Sequence, residues 1–332
     1  MFRIHFTTAD LLRTRIARGP DPMWEIVLSL HTLRTRGSEV TLGRWRRYAV
    51  GSVPHGPLWR LLELSPPLGY FPDFLTPPGG DQSLDEQLDV ALSTPLPQLS
   101  AQIRHLAAPG RFRTGVRPTR WLRAVERGEA DTMGALGEGV RTYHRAGLAP
   151  FWSSIVAAVS ADRTARAEQY AVGGLDQLLS TLHPRVRWRP PVLEVLDLYA
   201  PDLHLGGRGL LLQPSYFCAE TPTKLREEGD RPVLIHPITR PPTGLMLEDP
   251  NAEHPAAALL GRTRAAALAA TTGGCTTSDL ARRCGIAIST ASHQATVLRE
   301  SGLVQTRRVG GSVVHEITDL GRRLLAGAVL PA

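Results

Sequence analysis

Residues 276–318 read TTSDLARRCGIAISTASHQATVLRESGLVQTRRVGGSVVHEIT and give the clearest succession of local structural signals in the chain. They predict a short helix, a sharp turn at 285–287, a longer helix at 288–301, and two strands joined by a tight loop. This order is that of a helix-turn-helix followed by a β-hairpin, and it decides the fold of the C-terminal region.

Two residues set the ends of the short helix. Thr276 is followed three positions later by Asp279, a pattern in which the N-cap side chain accepts a hydrogen bond from the backbone N–H three residues on. Gly285 can adopt the left-handed conformation that often ends a helix. The turn then leads directly into the longer helix, as helix-turn-helix spacing requires.

The longer helix is amphipathic. Ala291, Ala295 and Leu298 fall on one face and predict packing against a core. The opposite face carries small polar side chains at helical spacing, namely Ser289, Ser292, His293 and Thr296. Such side chains can approach base edges and phosphates of DNA without steric conflict. A merely solvated face is the alternative interpretation.

The loop between the predicted strands 303–306 and 313–317 is basic. Tight-turn geometry explains Gly310 and Gly311 but not the neighbouring Arg307 and Arg308. The chain has a net charge of +7, and nine arginines against four acidic residues give residues 255–332 a charge of +5. Most of the excess charge therefore lies in this region, as expected if it faces phosphates.

We predict that double-stranded DNA contacts the short helix, the longer helix and the basic loop. The predicted contact residues are Thr276, Ser289, Thr290, Ser292, His293, Gln294, Thr296, Arg299, Arg307, Arg308, Gly310, Gly311 and Ser312. No catalytic residue, metal ligand or cofactor is predicted.

Two further helices are predicted around this segment. Residues 255–271 predict a helix that begins at Pro255 and ends at Gly273–Gly274. Residues 319–328 predict a last helix. The apolar faces of the two helices are formed by Leu259, Leu260, Ala267, Leu268, Leu320, Leu324 and Leu325.

The motif DLARRCGIAISTASHQATVLRESGLV, residues 279–304, resembles the winged helix-turn-helix of ArsR/SmtB-type bacterial repressors. The resemblance extends over about 255–328. It implies a homodimer held by the first and last helices of the module. It also implies that Thr290, Ser292 and His293 occupy groove-facing positions, and that Arg307 and Arg308 belong to the wing.

The chain departs from that family pattern at several positions. Ala287 stands where the pattern has a serine N-cap, which costs about 1 kcal/mol of helix stability. Metal-sensing members carry cysteines where this chain has Thr276 and Ser278, and hydroxyls are poor ligands for soft metals. A second type of sensor needs a histidine to match Asp319, and this chain has none there. Regulation by metal is therefore not predicted.

Residues 1–240 predict a mixed α/β domain, or two small ones, mostly helical and with a small sheet near 191–237. A proline- and acid-containing linker at 241–254 separates it from a domain at 255–330. The predicted strand is 2–6, the predicted helices are 8–17, 22–34, 84–92, 97–107, 119–127, 131–146 and 151–182, and the predicted loop is 65–80. Two segments, FRIHFTTADLLRTRIARGPDPMWEIVLSLHTL at 2–33 and LLLQPSYF at 210–217, also resemble the N-terminal region of ArsR-like regulators from actinobacteria.

The N-terminal region contains no motif that identifies a reaction. Gly206-Gly207-Arg208-Gly209 lacks dinucleotide-loop spacing and predicts a hairpin turn. The segments 44–47 and 185–189 interleave arginine with tryptophan. They either contact an anionic ligand or surround half-buried indoles with arginine stems, and the second interpretation is favoured.

Composition excludes several protein classes. An apolar content of 42% is typical of globular proteins, and no apolar run reaches the length of about 20 residues that a bilayer span needs. The N-terminus does not have the pattern of a secretory signal, and three cysteines do not make a disulfide framework. We therefore expect a cytoplasmic protein without a membrane partner.

Taken together, these features predict a dimeric DNA-binding transcriptional regulator, a repressor of the ArsR-like type. In this prediction the N-terminal domain binds either a small-molecule effector or a partner. Two alternatives remain open. The N-terminal domain could be the working enzyme or ligand-binding part, with the winged helix serving for localisation, or the winged helix could contact only protein.

Overall fold

The computed structural model describes residues 1–35, 39–66, 70–77, 82–108, 117–196, 201–218, 222, 231–247, 255–272, 274–309 and 312–325. The chain divides into two compact units, Met1–Leu247 and Glu248–Ala332. The first combines helices with two small sheets, and the second is a helical module with a three-stranded sheet. This confirms the predicted α+β class, mainly helical, with a winged helix-turn-helix at the C-terminus.

The N-terminal unit begins and ends with strands around a large helical region. Its described helices are α1 (Thr8–Arg13), α2 (Pro22–Arg34), α3 (Glu39–Ser52), α4 (His55–Leu64), α5 (Leu84–Leu92), α6 (Leu96–Ala107), α7 (Arg120–Glu126), α8 (Ala130–Tyr143) and α9 (Trp152–Ser180). Its described strands are β1 (Phe2–His5), β2 (Arg15–Ile16), β3 (Val186–Arg189), β4 (Val192–Val195), β5 (Leu203–His204), β6 (Leu211–Ser215) and β7 (Val233–Pro237).

Helix α2 lies within the larger core of this unit. Asp21 caps it, since Oδ1 accepts from the Trp24 N–H at 3.0 Å, and Pro22 occupies the first turn. All residues from Met23 to Leu30 are buried, whereas a surface helix buries only one stripe. Trp45 of α3 is fully buried in the same core, so the indole of the 44–47 segment is a packing residue.

The strands of the N-terminal unit form two sheets. One has the order β3-β4-β1-β5, and the other is a parallel sheet in the order β2-β6-β7. The strands near 191–237 therefore do not make a sheet of their own, because β1 and β2 from the start of the chain complete the two sheets. The first of these, β1, confirms the strand predicted at 2–6.

The predicted hairpin turn at 206–209 is wrong. These residues connect β5 to β6, which belong to different sheets. Gly209 has φ +75°, and a Cβ there would lie 2.7 Å from the Arg13 carbonyl oxygen, so the close approach of the two backbones requires glycine. The Gly209 N–H donates to Asp10 Oδ1 at 2.8 Å, which fixes this turn against α1.

Most predicted helices of this unit match the observed ones closely. The helix predicted at 8–17 ends at Arg13, because Arg15–Ile16 pairs with β6 as strand β2. Residues 39–64 contain α3 and α4, for which no helix was predicted. The predicted loop 65–80 contains a helical turn at Asp73–Leu75, and its residues 67–69 and 78–80 lie outside the described residues.

The predicted boundary between the domains stays a prediction. In the proposed linker 241–254, Leu245 is buried in the core of the N-terminal unit, and 248–254 lie outside the described residues. Among the residues that the structure describes, none of the helices combines the length and apolar composition needed to cross a membrane.

The C-terminal unit has a small core of its own. Its described elements are α10 (Pro255–Leu260), α11 (Arg262–Ala270), β8 (Cys275–Thr276), α12 (Thr277–Cys284), α13 (Ile288–Glu300), β9 (Val304–Val309), β10 (Ser312–Ile317) and α14 (Asp319–Leu325). The sheet has the order β8-β10-β9, with antiparallel pairing throughout. The core includes Leu268, Leu280, Ala291, Ala295, Leu298 and Ile317.

The single helix predicted at 255–271 is wrong. Gly261 has φ +81°, a left-handed conformation that ends α10 and separates it from α11. Helix α11 ends at Ala270, before the predicted stop, and Gly273 lies outside the described residues. Leu259 is 73% exposed and Leu320 is 58% exposed, so neither packs on an apolar face within this unit as predicted. Residues 326–328 of the last predicted helix are also outside the described part of the chain.

Candidate nucleic-acid interface

The start of α12 is fixed by the predicted capping box. Thr276 Oγ1 accepts from the Asp279 N–H at 3.1 Å and donates to Asp279 Oδ2 at 2.8 Å. Gly285 has φ +64° and ends the helix in the predicted left-handed conformation. Thr276 was also predicted as a DNA contact, but its hydroxyl is occupied by the cap, so its structural part is to position α12.

Helix α13 is oriented by its buried side. Ala291, Ala295 and Leu298 are between 0% and 2% exposed and pack in the core of the unit, as predicted. Ala287 at the N-cap gives no side-chain hydrogen bond, which leaves the first N–H groups of the helix without a side-chain acceptor from the cap. Because Ala291, Ala295 and Leu298 face the core, the opposite face of α13 points away from it.

Four of the predicted contact residues share that outer face. Ser289, Ser292 and His293 are exposed, and Thr296 is half-buried. None of the four forms a side-chain hydrogen bond with another residue in the described part of the chain. The face thus presents hydrogen-bonding groups to an outside partner.

Thr290 and Gln294 lie on the flank of α13 and are half-buried. Gln294 Oε1 accepts from Arg264 Nε of α11 at 3.2 Å. This bond turns the Gln294 side chain towards the neighbouring helix and away from the outer face. The structure therefore separates Gln294 from the other residues predicted on this helix.

The two arginines of the predicted wing differ in their surroundings. Arg307 on β9 donates from Nε to Glu316 Oε1 of β10 at 3.0 Å, and a second bond joins its Nη2 to the same oxygen. Arg308 is exposed and has no acidic partner among the described residues. Arg299, near the end of α13, is likewise exposed and has no described acidic partner. Arg308 and Arg299 are therefore the cations of this surface that have no described anion beside them.

The tip of the wing is only partly described. Gly310 and Gly311 lie outside the described residues. Ser312 begins β10 and pairs with Val309 of β9.

His315 is a structural residue of this surface that sequence reasoning missed. It is 6% exposed, and its Nε2 lies 2.9 Å from Thr277 Oγ1 of α12 while its Nδ1 lies 3.0 Å from Thr306 Oγ1 of β9. Burial, and then the charge of Arg299, lower the pKa of His315. Alternation along the strand could have placed it inside, since Ile317 faces the core from the same side of β10.

The cysteines of this unit do not look like metal ligands. Burial raises the pKa of both Cys275 and Cys284, which disfavours the thiolate form that binds metals. Within the described part of the chain, no three His, Cys, Asp or Glu side chains come together as a metal site requires.

The comparisons with known proteins agree with this geometry. Residues 266–308 match the family model of the IclR helix-turn-helix domain. The matched stretch runs from α11 through α12 and α13 to Arg308 on β9. No curated protein and no solved structure matches the chain.

The matching model is that of the IclR domain, so the ArsR/SmtB subtype predicted from the motif at 279–304 is not supported. What the prediction and the match share is the helix-turn-helix itself. The helix-turn-helix domain of the C-terminal unit places the chain among DNA-binding transcriptional regulators.

Proposed function

We propose that this protein is a sequence-specific regulator that inserts α13 into the DNA major groove and lays the β9–β10 wing on the adjacent backbone or minor groove. One observation carries the proposal. The outer face of α13 has polar side chains with no partners in the described chain, and Arg299 and Arg308 have no described acidic partner. Polar groups read base edges, and unpaired guanidinium groups attract phosphates.

Some side chains of this surface would contact bases and others would bind phosphates. Ser289, Ser292 and His293 lie in the N-terminal half of α13, the part of a recognition helix that contacts base edges. Arg299 and Arg308 would bind phosphates and set the position of the module. Arg307 would contribute less than Arg308, because its charge is already compensated by Glu316.

A homodimer is the assembly we propose. Leu259 on α10 and Leu320 on α14 are large apolar residues left exposed on two helices that pack together in the C-terminal unit. A second copy covering these helices would bury the two leucine side chains. Two recognition helices would then contact half-sites of a palindromic operator about 34 Å apart. The proposed sign of regulation is repression, which requires only that the bound dimer cover promoter DNA.

The N-terminal unit would carry the regulatory input. We propose that a small-molecule effector binds there and changes the affinity for DNA, which requires that the effector bind the DNA-competent and incompetent states with different affinities.

A salt titration of binding to the DNA upstream of the protein's own gene tests this function. Fluorescence anisotropy would compare wild type with Arg299→Ala/Arg308→Ala. We expect about 100-fold weaker binding at low salt and a salt slope smaller by about 2, because each lost phosphate contact removes about one unit of slope.

Arg47→Ala/Arg60→Ala is the matched control, since it also removes two arginine charges, from exposed positions of the N-terminal unit. It should leave both quantities unchanged. If the double variant binds as tightly as wild type, or if a folded wild type fails to bind at low salt, the proposed function is wrong.

A further inference from the structure

The N-terminal unit contains a cavity of about 410 Å³ that the predicted interface does not use. One wall is a face of α9 formed by Asp162, Ala165, Arg166 and Gln169, which follow helical spacing. The other walls come from residues 181–184 after α9 and from residues 237–239 at the end of β7. Cavities of this size are typical of small-molecule sites.

An incompletely satisfied ion pair lies in the α9 wall. Arg166 Nη2 donates to Asp162 Oδ1 at 3.3 Å, with side-chain exposures of 10% and 5%. Arg166 Nη1 donates to the Thr181 carbonyl oxygen at 2.8 Å and to Gln169 Oε1 at 3.1 Å. The pair uses only one oxygen of the carboxylate and leaves the Nε of the guanidinium out of the contact.

Three buried polar atoms in this neighbourhood are unpartnered among the described residues. They are Asp162 Oδ2, Arg166 Nε and His236 Nε2. Buried polar atoms are nearly always hydrogen-bonded, and leaving one without a partner costs about 1–3 kcal/mol. Two of the three belong to side chains that line the cavity, although the atoms themselves are shielded from solvent. A ligand there could satisfy them once the side chains of Asp162 and Arg166 turn towards it.

The chemistry of these atoms defines what they would bind. In the ionised carboxylate, Asp162 Oδ2 can only accept, whereas Arg166 Nε can only donate. His236 is fully buried, and burial together with the charge of Arg166 lowers its pKa to about 3, so it is neutral at ordinary pH. His183 lines the cavity itself, and burial, followed by the charges of Arg185 and Arg166, lowers its pKa, which favours the neutral imidazole. One carboxylate and one guanidinium then leave the cavity wall without net charge, which favours neither a simple anion nor a simple cation.

We propose that this cavity binds a small molecule of zero net charge whose hydroxyl or amide groups donate to Asp162 Oδ2 and accept from Arg166 Nε. Its place in the fold agrees with this assignment, because residues 237–239 lie at the carboxyl end of β7 in a parallel sheet, where α/β proteins commonly bind ligands. That such a ligand is the effector of DNA binding rests on the proposed function, but its binding to the cavity does not.

Ligand-observed NMR on the full chain tests the site without DNA. Two probes have zero net charge, namely D-glucose, which is uncharged, and L-glutamine, which is a zwitterion. Inorganic phosphate is the charged comparison, and each probe is tested up to about 10 mM. We expect saturable binding of glucose or glutamine and none of phosphate. Binding of phosphate alone, or of none of the three, would overturn the proposal.

Replacing either of two alanines on α9 by leucine gives a matched pair of variants. Ala165→Leu fills the cavity from an exposed helical position, whereas Ala167→Leu makes the same change at an exposed position that does not line it. We expect at least tenfold weaker probe binding in the first and unchanged binding in the second. Asp162→Asn, which places a donor where an acceptor stood, should weaken binding similarly. Binding that survives Ala165→Leu would place the ligand elsewhere and refute the site.

The anisotropy assay is then repeated with the bound probe. If a probe binds the cavity but leaves DNA affinity unchanged, the effector role is wrong and the binding site is still supported. If the chain binds the probe but not DNA, the proposed function is wrong and the binding site is still supported.

Discussion

The two units place charge in opposite ways. The N-terminal unit buries ionisable side chains, including Asp21, Glu25, Asp162, Arg166 and His236. In the described part of the C-terminal unit, the buried ionisable side chains are His315 and Cys275, and the arginines and carboxylates lie at or near the surface. Charge at the surface acts on a large, highly charged partner, whereas buried charge acts on stability and on small ligands.

The largest effect should come from breaking the buried pair of the N-terminal unit. Arg166→Met removes the guanidinium and leaves Asp162 buried without its partner, although burial already raises the pKa of that carboxyl. We expect the free energy of unfolding to fall by about 3–5 kcal/mol. All six tryptophans lie in the N-terminal unit, so their fluorescence during urea unfolding reports on this unit.

The double variant Asp162→Asn/Arg166→Met is the control, because it removes both charges and should recover part of the loss. A loss below about 1 kcal/mol in Arg166→Met would mean that the pair is as solvated as a surface pair, and the contrast between the units would disappear.

The second effect concerns pH. Burial, and then the charge of Arg34, lower the pKa of His31 to about 4 from an ordinary value of 6.5. The folded state thus binds fewer protons than the unfolded chain, so the stability due to neutral His31 is present above pH 6.5 and is lost as the pH falls towards 4.

His31→Phe isolates this contribution. Between pH 7.5 and pH 5, wild type should lose about 2 kcal/mol more than the variant, measured by tryptophan fluorescence. His55→Phe at an exposed position is the comparison variant. Parallel pH profiles for wild type and His31→Phe would contradict the expectation.

The third effect is on DNA recognition. His293 is exposed on the outer face of α13, so His293→Ala should change which operator bases are preferred, by about 1–2 kcal/mol at the contacted base pair. His293→Ala should bind non-specific DNA almost as tightly as wild type, whereas Arg299→Ala/Arg308→Ala should bind it more weakly. Selection of binding sites from a random DNA pool measures the preference. An unchanged consensus sequence would show that His293 does not read a base.

The smallest effect comes from the partner of Arg307. Glu316→Gln removes the carboxylate that holds this guanidinium and should free it for phosphate. We expect DNA affinity to rise by a factor of about 3 at low salt and the salt slope to steepen slightly. Glu300→Gln, at an exposed position of α13, tests whether the gain comes only from reduced negative charge.

The sequence predicted those parts of the interface that depend on near neighbours. The capping box pairs Thr276 with Asp279, and the inward residues of α13 repeat with helical spacing, so both are visible in a short window. The contacts of Gln294 with Arg264 and of His315 with Thr277 join residues 30 and 38 positions apart, and no local pattern reports them.

The same limit explains the N-terminal unit. Arg166 reaches Thr181 across the kink that Gly173 and Gly174 make in α9, and His236 comes from a strand some 70 positions later. The individual histidines and arginines looked ordinary in the sequence. Only the folded chain brings Arg166, Thr181 and Pro237, the neighbour of His236, to one cavity.

The bridge made by His315 has a consequence for the operator. The imidazole of His315, on β10, bonds Thr306 of β9 within the wing and Thr277 of α12 in the helix-turn-helix. The wing therefore cannot change its angle to α12 without breaking the bond between His315 and Thr277. The distance between the bases that α13 contacts and the phosphate that Arg308 binds would then be constant. Operators with an inserted base pair within that interval should be rejected, even when every contacted base is correct.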